Sequence, residues 1–178
     1  MDSQPLLEGE LVALRPLVAG DWDALYAIAS NPQVWAMPPL HDRWREPVFR
    51  AFFADALAQR GALLVSERGS GRAIGSSRFQ GYRPKSGGQV EIGWTFLDPS
   101  VWGSGCNTEM KRLMLDHAFR FVARVGFRVG EHNWRARRAG EKLGARLTDE
   151  VERTPGGDGA QIVHLVYEIG REDWDAAG

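Results

Sequence analysis

Hydrophobic and polar positions change their period several times along the chain. In ELVALRPL (10–17), Val12 and Leu14 alternate with Leu11, Ala13 and Arg15, which predicts a strand stopped by Pro16. From Asp21 the period lengthens. Trp22, Leu25, Ile28 and Ala29 share one helical face, and Ser30-Asn31-Pro32 ends the helix because the residue before proline is pushed out of the α region. After a mixed loop, QVWAMPPLHDRW, a second helix is predicted over 47–60. Pro47 suits its first turn, Phe49, Phe52, Phe53, Ala56 and Leu57 form its core face, and Gly61 is the expected C-terminal cap. Short β-type runs follow at 62–67, 72–79 and 89–97, divided by RGSG and GYRPKSGG. Connections this short imply an antiparallel meander.

A long helix is predicted over 107–124. Glu109, Arg112, Asp116 and Arg120 fall on a narrow stripe with alternating signs, suited to pairing along the surface. Most other positions, including Met110, Leu113, Met114, Leu115, Ala118, Phe119, Phe121 and Val122, are apolar, as in a helix packed against a sheet. A strand at 125–131 then completes a β-α-β crossover with the 89–97 strand, so the two should be parallel. NWRARRAGEKLGA reads as a short helix with Asn133 at the N-cap and Gly144 just past its end. RLTDEVER and QIVHLVYEI form a last hairpin across TPGGDGA. The expected order is β-α-α-β-β-β-α-β-α-β-β: an α/β (α+β) fold with a single mixed, mostly antiparallel sheet of about seven strands flanked by helices, within one domain spanning 1–178.

Composition adds exclusions. A chain of 178 residues can bury a sizeable core as one domain. A formal net charge of -1 signals neither a nucleic-acid nor a membrane-surface partner. The single cysteine allows no internal disulfide and suits a reducing, cytoplasmic compartment. The first residues lack the basic and apolar regions of a signal peptide, and no run approaches the ~20 apolar residues of a membrane span.

Candidate chemistry concentrates in WGSGCNTE (102–109), a glycine loop opening the long helix. It lacks the spacing and the Lys-Ser/Thr pair of a P-loop. Gly103 and Gly105 give the G-x-G of a dinucleotide site, and Glu131 stands where a ribose-binding acid would be, but Thr108 occupies the third glycine position and the strands before it form a meander. Cys106 at a helix start would have a depressed thiol pKa, yet no base is placed beside it, and a packing role competes. Pyrophosphate binding by bare backbone N–H groups needs only what the loop supplies: two glycines that let the chain approach an anion, and a helix dipole behind them. A ligand-free glycine turn is the plainer alternative.

The stretch EIGWTFLDPSVWGSGCNTEMKRLMLDHAF resembles the strand, loop and helix that hold the cofactor in the GNAT superfamily of acetyl-CoA-dependent N-acetyltransferases, in particular its RimJ/RimL-like branch. FRVGEHNWRARRAGEKLGA is similar to the second block of that branch, and VYEIGREDW (166–174) to its closing strand. The resemblance implies a GNAT fold with acetyl-CoA as cosubstrate and no metal, in a cleft where two parallel strands splay apart. Phe96 and Leu97 would border the pantetheine arm. Gly103, Ser104, Gly105, Cys106, Asn107 and Thr108 would hold the pyrophosphate. Asn133 would contact the pantetheine region, and Arg137 or Arg138 the outer phosphate. The implied partners are acyl-CoA and an amine acceptor, a small molecule or a protein N-terminus; a homodimer stays open. Three departures stand out: Trp102 where many relatives outside this branch carry arginine or glutamine, Asn107 where glycine or alanine is common, and Ala136 where some members carry a serine suited to protonating the leaving thiolate.

Acyl transfer from a thioester to an amine needs the amine deprotonated and the developing oxyanion met by donors. Glu91 is the candidate base, acting directly or through water, against the alternative of a surface carboxylate. A backbone N–H near Leu97 is the candidate oxyanion donor, and Tyr167 or Cys106 the candidate acid. Trp35, Met37, His41 and Asp42 in the loop between the first two helices would overhang the acceptor, with Asp42 attracting the amine; core anchoring is the competing role for Trp35. A catalytically inactive acyl-CoA-binding or sensing module and a nucleotide-binding oxidoreductase remain as alternative functions.

Overall fold

The computed structural model describes residues 1–37, 41–155 and 161–177. Positions 38–40 of the loop between the first two helices, and 156–160 of the hairpin turn, lie outside the described residues.

The chain runs β1 (Leu7–Glu8), β2 (Val12–Pro16), α1 (Trp22–Ala29), α2 (Glu46–Gln59), β3 (Ala62–Glu67), β4 (Ala73–Arg83), β5 (Gln89–Leu97), α3 (Cys106–Phe119), β6 (Arg124–Gly130), α4 (Trp134–Lys142), β7 (Arg146–Pro155), β8 (Gln161–Gly170) and α5 (Arg171–Ala177). One sheet of eight strands holds them, in the order β1-β2-β3-β4-β5-β6-β8-β7. Every pairing is antiparallel except β5 with β6. The meander and the crossover expected from connection lengths are both present. The eighth strand is the two-residue β1, too short for any periodic signal.

Alternation along the strands sends side chains to two cores. Val12, Leu14, Leu63, Val65, Phe79, Val90 and Ile92 pack with Met110, Met114, Leu115 and Ala118 of α3. Ala62, Leu64 and Phe96 pack with Leu25, Ile28 and Ala29 of α1 and Phe49, Phe53 and Ala56 of α2. The apolar stripes of the three helices therefore face the sheet as their spacing requires.

Three local expectations change. The left-handed residue ending α2 is Arg60 (φ 52°), not Gly61. Gly61 is required by space instead: a Cβ there would stand 2.0 Å from the carbonyl oxygen of Phe79 on β4. The long helix stops at Phe119 rather than 124, and its polar stripe does not pair with itself. Glu109 accepts the backbone N–H groups of Glu10, Leu11 and Val12, while Asp116 accepts the indole N–H of Trp174. The closing strand ends at Gly170, and the residues after it are helical.

Candidate active site

β5 and β6 start side by side and then part. Gln89, Val90 and Glu91 pair with Arg124, Val125 and Gly126, and no pairing follows, although β5 continues to Leu97 and β6 to Gly130. The gap opens at Glu91. On its other edge β5 stays bound to β4, so the backbone groups of 93–97 that point away from β4 meet no strand. The N–H of Asp98 donates to Ile74 on β4 (2.8 Å), so by strand alternation the N–H of Leu97 points into the gap. An N–H in that position is available to a group lying in the gap. The Leu97 carbonyl accepts the indole N–H of Trp102 (3.1 Å), which ties the gap to the glycine loop.

The loop stands at the mouth of this gap. Gly103 (φ 79°) and Gly105 (φ 95°) both adopt left-handed backbone that side chains resist. α3 begins without a side-chain cap. The N–H groups of Gly103, Gly105, Asn107 and Thr108 have no acceptor among the described residues. Ser104 donates its hydroxyl to Val101 and accepts weakly from the N–H of Cys106. Cys106 is buried in the α3 core, which removes it as an accessible nucleophile. The Asn107 side chain makes no hydrogen bond among the described residues and blocks none of these donors.

Glu91 sits at the vertex of the splay. One carboxylate oxygen accepts from the Gln80 amide (2.8 Å) and the other pairs with the Arg128 guanidinium (3.0 Å). Burial raises its pKa above the usual carboxylate range, although Arg128 and Gln80 both pull it down. It is a half-buried, hydrogen-bonded carboxylate and not a free surface group. Arg128 also reaches Glu152 (2.7 Å), which pairs across the β7–β8 ladder with His164. His164 has its Nδ1 buried without a partner among the described residues. Burial, then Arg128 and Arg43, lowers its pKa, with Glu152 opposing.

Beside the gap β5 bulges. Ser76 pairs with Phe96 and Arg78 with Gly93, so Ser77 faces two residues, Trp94 and Thr95. Trp94 takes a left-handed φ of 56°, a strain of about 1–2 kcal/mol for a residue with a Cβ. On the α3 side of the bulge the Lys111 ammonium donates to the hydroxyls of Thr95 (2.7 Å) and Ser77 (3.3 Å). Burial lowers the Lys111 pKa to about 7. Sequence reading missed this lysine because it interrupts an otherwise apolar helix face, and only its two hydroxyl partners, 34 and 16 residues away, make sense of it.

Asn133 caps α4 by accepting the N–H of Ala136 (3.1 Å), and its amide N–H₂ makes no hydrogen bond among the described residues. Arg137 does not project freely. It donates to the Tyr167 hydroxyl (2.9 Å) and the Glu131 carbonyl (3.0 Å), pinning α4 to β8 and to the end of β6. Tyr167 in turn donates its proton to Glu141 (3.0 Å) and is buried. Arg135 lies 3.9 Å over the Trp102 ring and so bridges α4 to the glycine loop, a position the sequence did not single out. On the opposite side of the sheet, Trp35 is buried against Phe96 (5.2 Å) and donates its indole N–H to Ala29 (2.8 Å). Met37 is half-buried, and His41 and Asp42 are exposed, with the His41 ring against the Trp35 carbonyl. A separate hollow of about 410 Å³ between α1 and the Asp98–Pro99 corner contains none of these groups. Among the described residues no cluster of His, Cys, Asp or Glu is arranged to hold a metal, and no helix is long and apolar enough to cross a membrane.

A splayed parallel pair, a glycine loop whose N–H groups lack acceptors among the described residues and a half-buried carboxylate at the vertex lie together, an arrangement that could hold an anionic cofactor with an extended arm. The sequence matches the family described as Acetyltransferase (GNAT) domain over residues 12–146. The chain belongs to that family, and it is an acyltransferase by class. A GCN5-related N-acetyltransferase from Brucella melitensis superposes with a TM-score of 0.84 at 22% identity, covering 97% of this chain and 81% of that one. A GNAT-family acetyltransferase from Bacillus anthracis gives 0.78 at 21% identity, with 94% and 99% covered. Mycobacterium smegmatis RimJ in complex with CoA-disulfide gives 0.71 at 20%, with 98% and 94% covered. No curated protein matches the sequence.

Proposed function

We propose that the protein transfers an acetyl group from acetyl-CoA to a primary amine by direct attack, as one domain over 1–178, in the manner of the RimJ/RimL-like branch and in a reducing cytoplasm. The observation that carries the reading is the gap opening at Glu91 between β5 and β6, with unbonded N–H groups at its mouth. The pyrophosphate would rest on the N–H groups of Gly103, Gly105, Asn107 and Thr108, favoured by the helix dipole. The pantetheine arm would add its amides to the unpaired edge of Gly93–Leu97, with the Asn133 amide as a further donor. Arg135 and Arg138 fit the outer phosphate better than Arg137, whose guanidinium is already engaged.

Glu91 would take the amine proton, and its raised pKa, caused by burial, strengthens it as a base. The oxyanion would face the N–H of Leu97. The thiolate would leave without a dedicated acid. Ala136 offers no proton, Cys106 is buried, and the Tyr167 proton is committed to Glu141. His164, half-buried with its Nδ1 unpartnered among the described residues, is the second candidate base.

Release of free CoA thiol across a panel of primary amines, peptide N-termini included, tests the reading. At least one amine should turn over, and Glu91→Gln should lower kcat about 100-fold or more while acetyl-CoA affinity changes little. Full activity in Glu91→Gln with loss in His164→Asn would transfer the base to His164. Tight acetyl-CoA binding with no turnover on any amine would favour the inactive module.

A further inference from the structure

On the face of the sheet that carries Glu91, an arginine pair is built into an aromatic frame that the transfer chemistry above does not use. Arg78 is 3% exposed. One of its terminal nitrogens donates to Asp55 of α2 (2.8 Å), and its Nε is buried with no acceptor among the described residues. Its guanidinium carbon lies 4.2 Å from the centre of the Trp94 ring. Arg43, from the loop before α2, stands 4.7 Å from the same ring, 4.7 Å from Phe52 and 5.6 Å from Trp35. Arg43 makes no ion pair or hydrogen bond among the described residues. Burial, then the neighbouring Arg78, lowers its pKa to about 10, and the exposed Asp42 only partly offsets this.

Two guanidiniums near one indole repel each other, and the one carboxylate bonded to either, Asp55, is turned to Arg78 alone. Stacking on aromatic faces stabilises each cation and fixes the plane of the fork, but supplies no acceptor to its N–H edge. The buried Nε of Arg78 and the half-buried fork of Arg43 have no acceptor among the described residues, and an oxyanion is the group that satisfies charged N–H donors. The place is also suitable. Arg78 pairs with Gly93 and Gln80 with Glu91, so Arg78 and Glu91 are diagonal neighbours on one face, about 7–8 Å apart at their Cβ atoms.

We propose that Arg43 and Arg78, held against Trp94, form a subsite for an oxyanion at the far end of the amine acceptor, a carboxylate or a phosphate, while the amine meets Glu91. The proposal rests on the acyl-transfer reading and narrows its acceptor to a small amine that also carries an anionic group. The strained bulge then has a purpose. It turns Trp94 outward as the shared platform for both cations.

The test compares 4-(aminomethyl)benzoate with 4-(aminomethyl)benzamide, and 2-aminoethyl phosphate with ethanolamine, by thiol release at saturating acetyl-CoA. One anionic amine should exceed its neutral partner at least tenfold in kcat/KM, and which one does identifies the oxyanion. Arg43→Gln should lower kcat/KM for the preferred acid at least tenfold more than for its neutral partner, chiefly through KM, and Arg43→Lys should recover part of the loss. Equal use of acid and neutral amine, or equal loss on both in Arg43→Gln, would overturn the subsite while leaving acetyl transfer intact. If no amine turns over, calorimetry of 4-(aminomethyl)benzoate and 2-aminoethyl phosphate on the CoA-loaded protein decides. Binding of one of them that Arg43→Gln abolishes supports the subsite, and no binding of either overturns it, whatever becomes of the transferase reading.

Discussion

Glu91 and Lys111 are two ionisable groups near one bulge, displaced in opposite senses by the same cause. Desolvation disfavours charge, so it raises a carboxyl and lowers an ammonium. A base is competent only when ionised, so kcat/KM should rise with pH along an acid limb centred above the ordinary carboxylate value of 4.5, and Glu91→Gln should lose that limb. Lys111 gives a stability prediction. Its folded pKa of about 7 lies below the unfolded 10.5, so between these values the unfolded chain binds more protons and stability rises with pH. The full penalty of burying the ammonium is present below about 7 and fades toward 10.5. Denaturant titrations from pH 7 to 10 should show a slope approaching about 1.4 kcal/mol per pH unit that Lys111→Met removes. Parallel pH dependence in the two proteins would mean that the ammonium is not desolvated as described.

Glycines in this fold answer two different demands, and substitution separates them. Gly61 has ordinary dihedrals but no room beside Phe79, whereas Gly103 has open space but a φ of 79°. Gly61→Ala should cost about 2–3 kcal/mol by overpacking at the β3–β4 junction, with little effect on cofactor affinity per folded molecule. Gly103→Ala should cost about 1–2 kcal/mol from its backbone alone and should also weaken acetyl-CoA binding, because the loop's N–H groups shift. Urea unfolding paired with calorimetry measures both quantities. An unstable Gly103→Ala with unaltered affinity would remove the loop from the phosphate site. Sequence periodicity located both loops, but it took Gly61 for a helix cap. A close approach between backbones distant in sequence leaves no local signature, whereas a positive φ does.

Apart from β1 and α5, the element order was legible, as were the meander, the parallel crossover and the glycine loop, because each follows from local period, connection length or turn residues. The splay was legible only through family resemblance, since nothing in QVEIGWTFL says that pairing with β6 stops at Glu91. Lys111, Arg43, Arg78 and His164 were not legible. A register shift at the bulge sets what surrounds Arg78 and Lys111, and a charged residue inside an apolar stripe reads as an interruption until its partners are known. Glu91 could be named as a base but not distinguished from a surface carboxylate until Gln80 and Arg128 came beside it. The splayed pair, the glycine loop and the half-buried carboxylate support the proposal that the gap between β5 and β6 is an acyl-CoA site. Titration calorimetry with acetyl-CoA and with NAD tests it most directly. One acetyl-CoA should bind per chain with a Kd of about 1–100 μM, and NAD at least about 100-fold more weakly. NAD binding as tight as acetyl-CoA, or no acetyl-CoA binding at millimolar concentration, would contradict it.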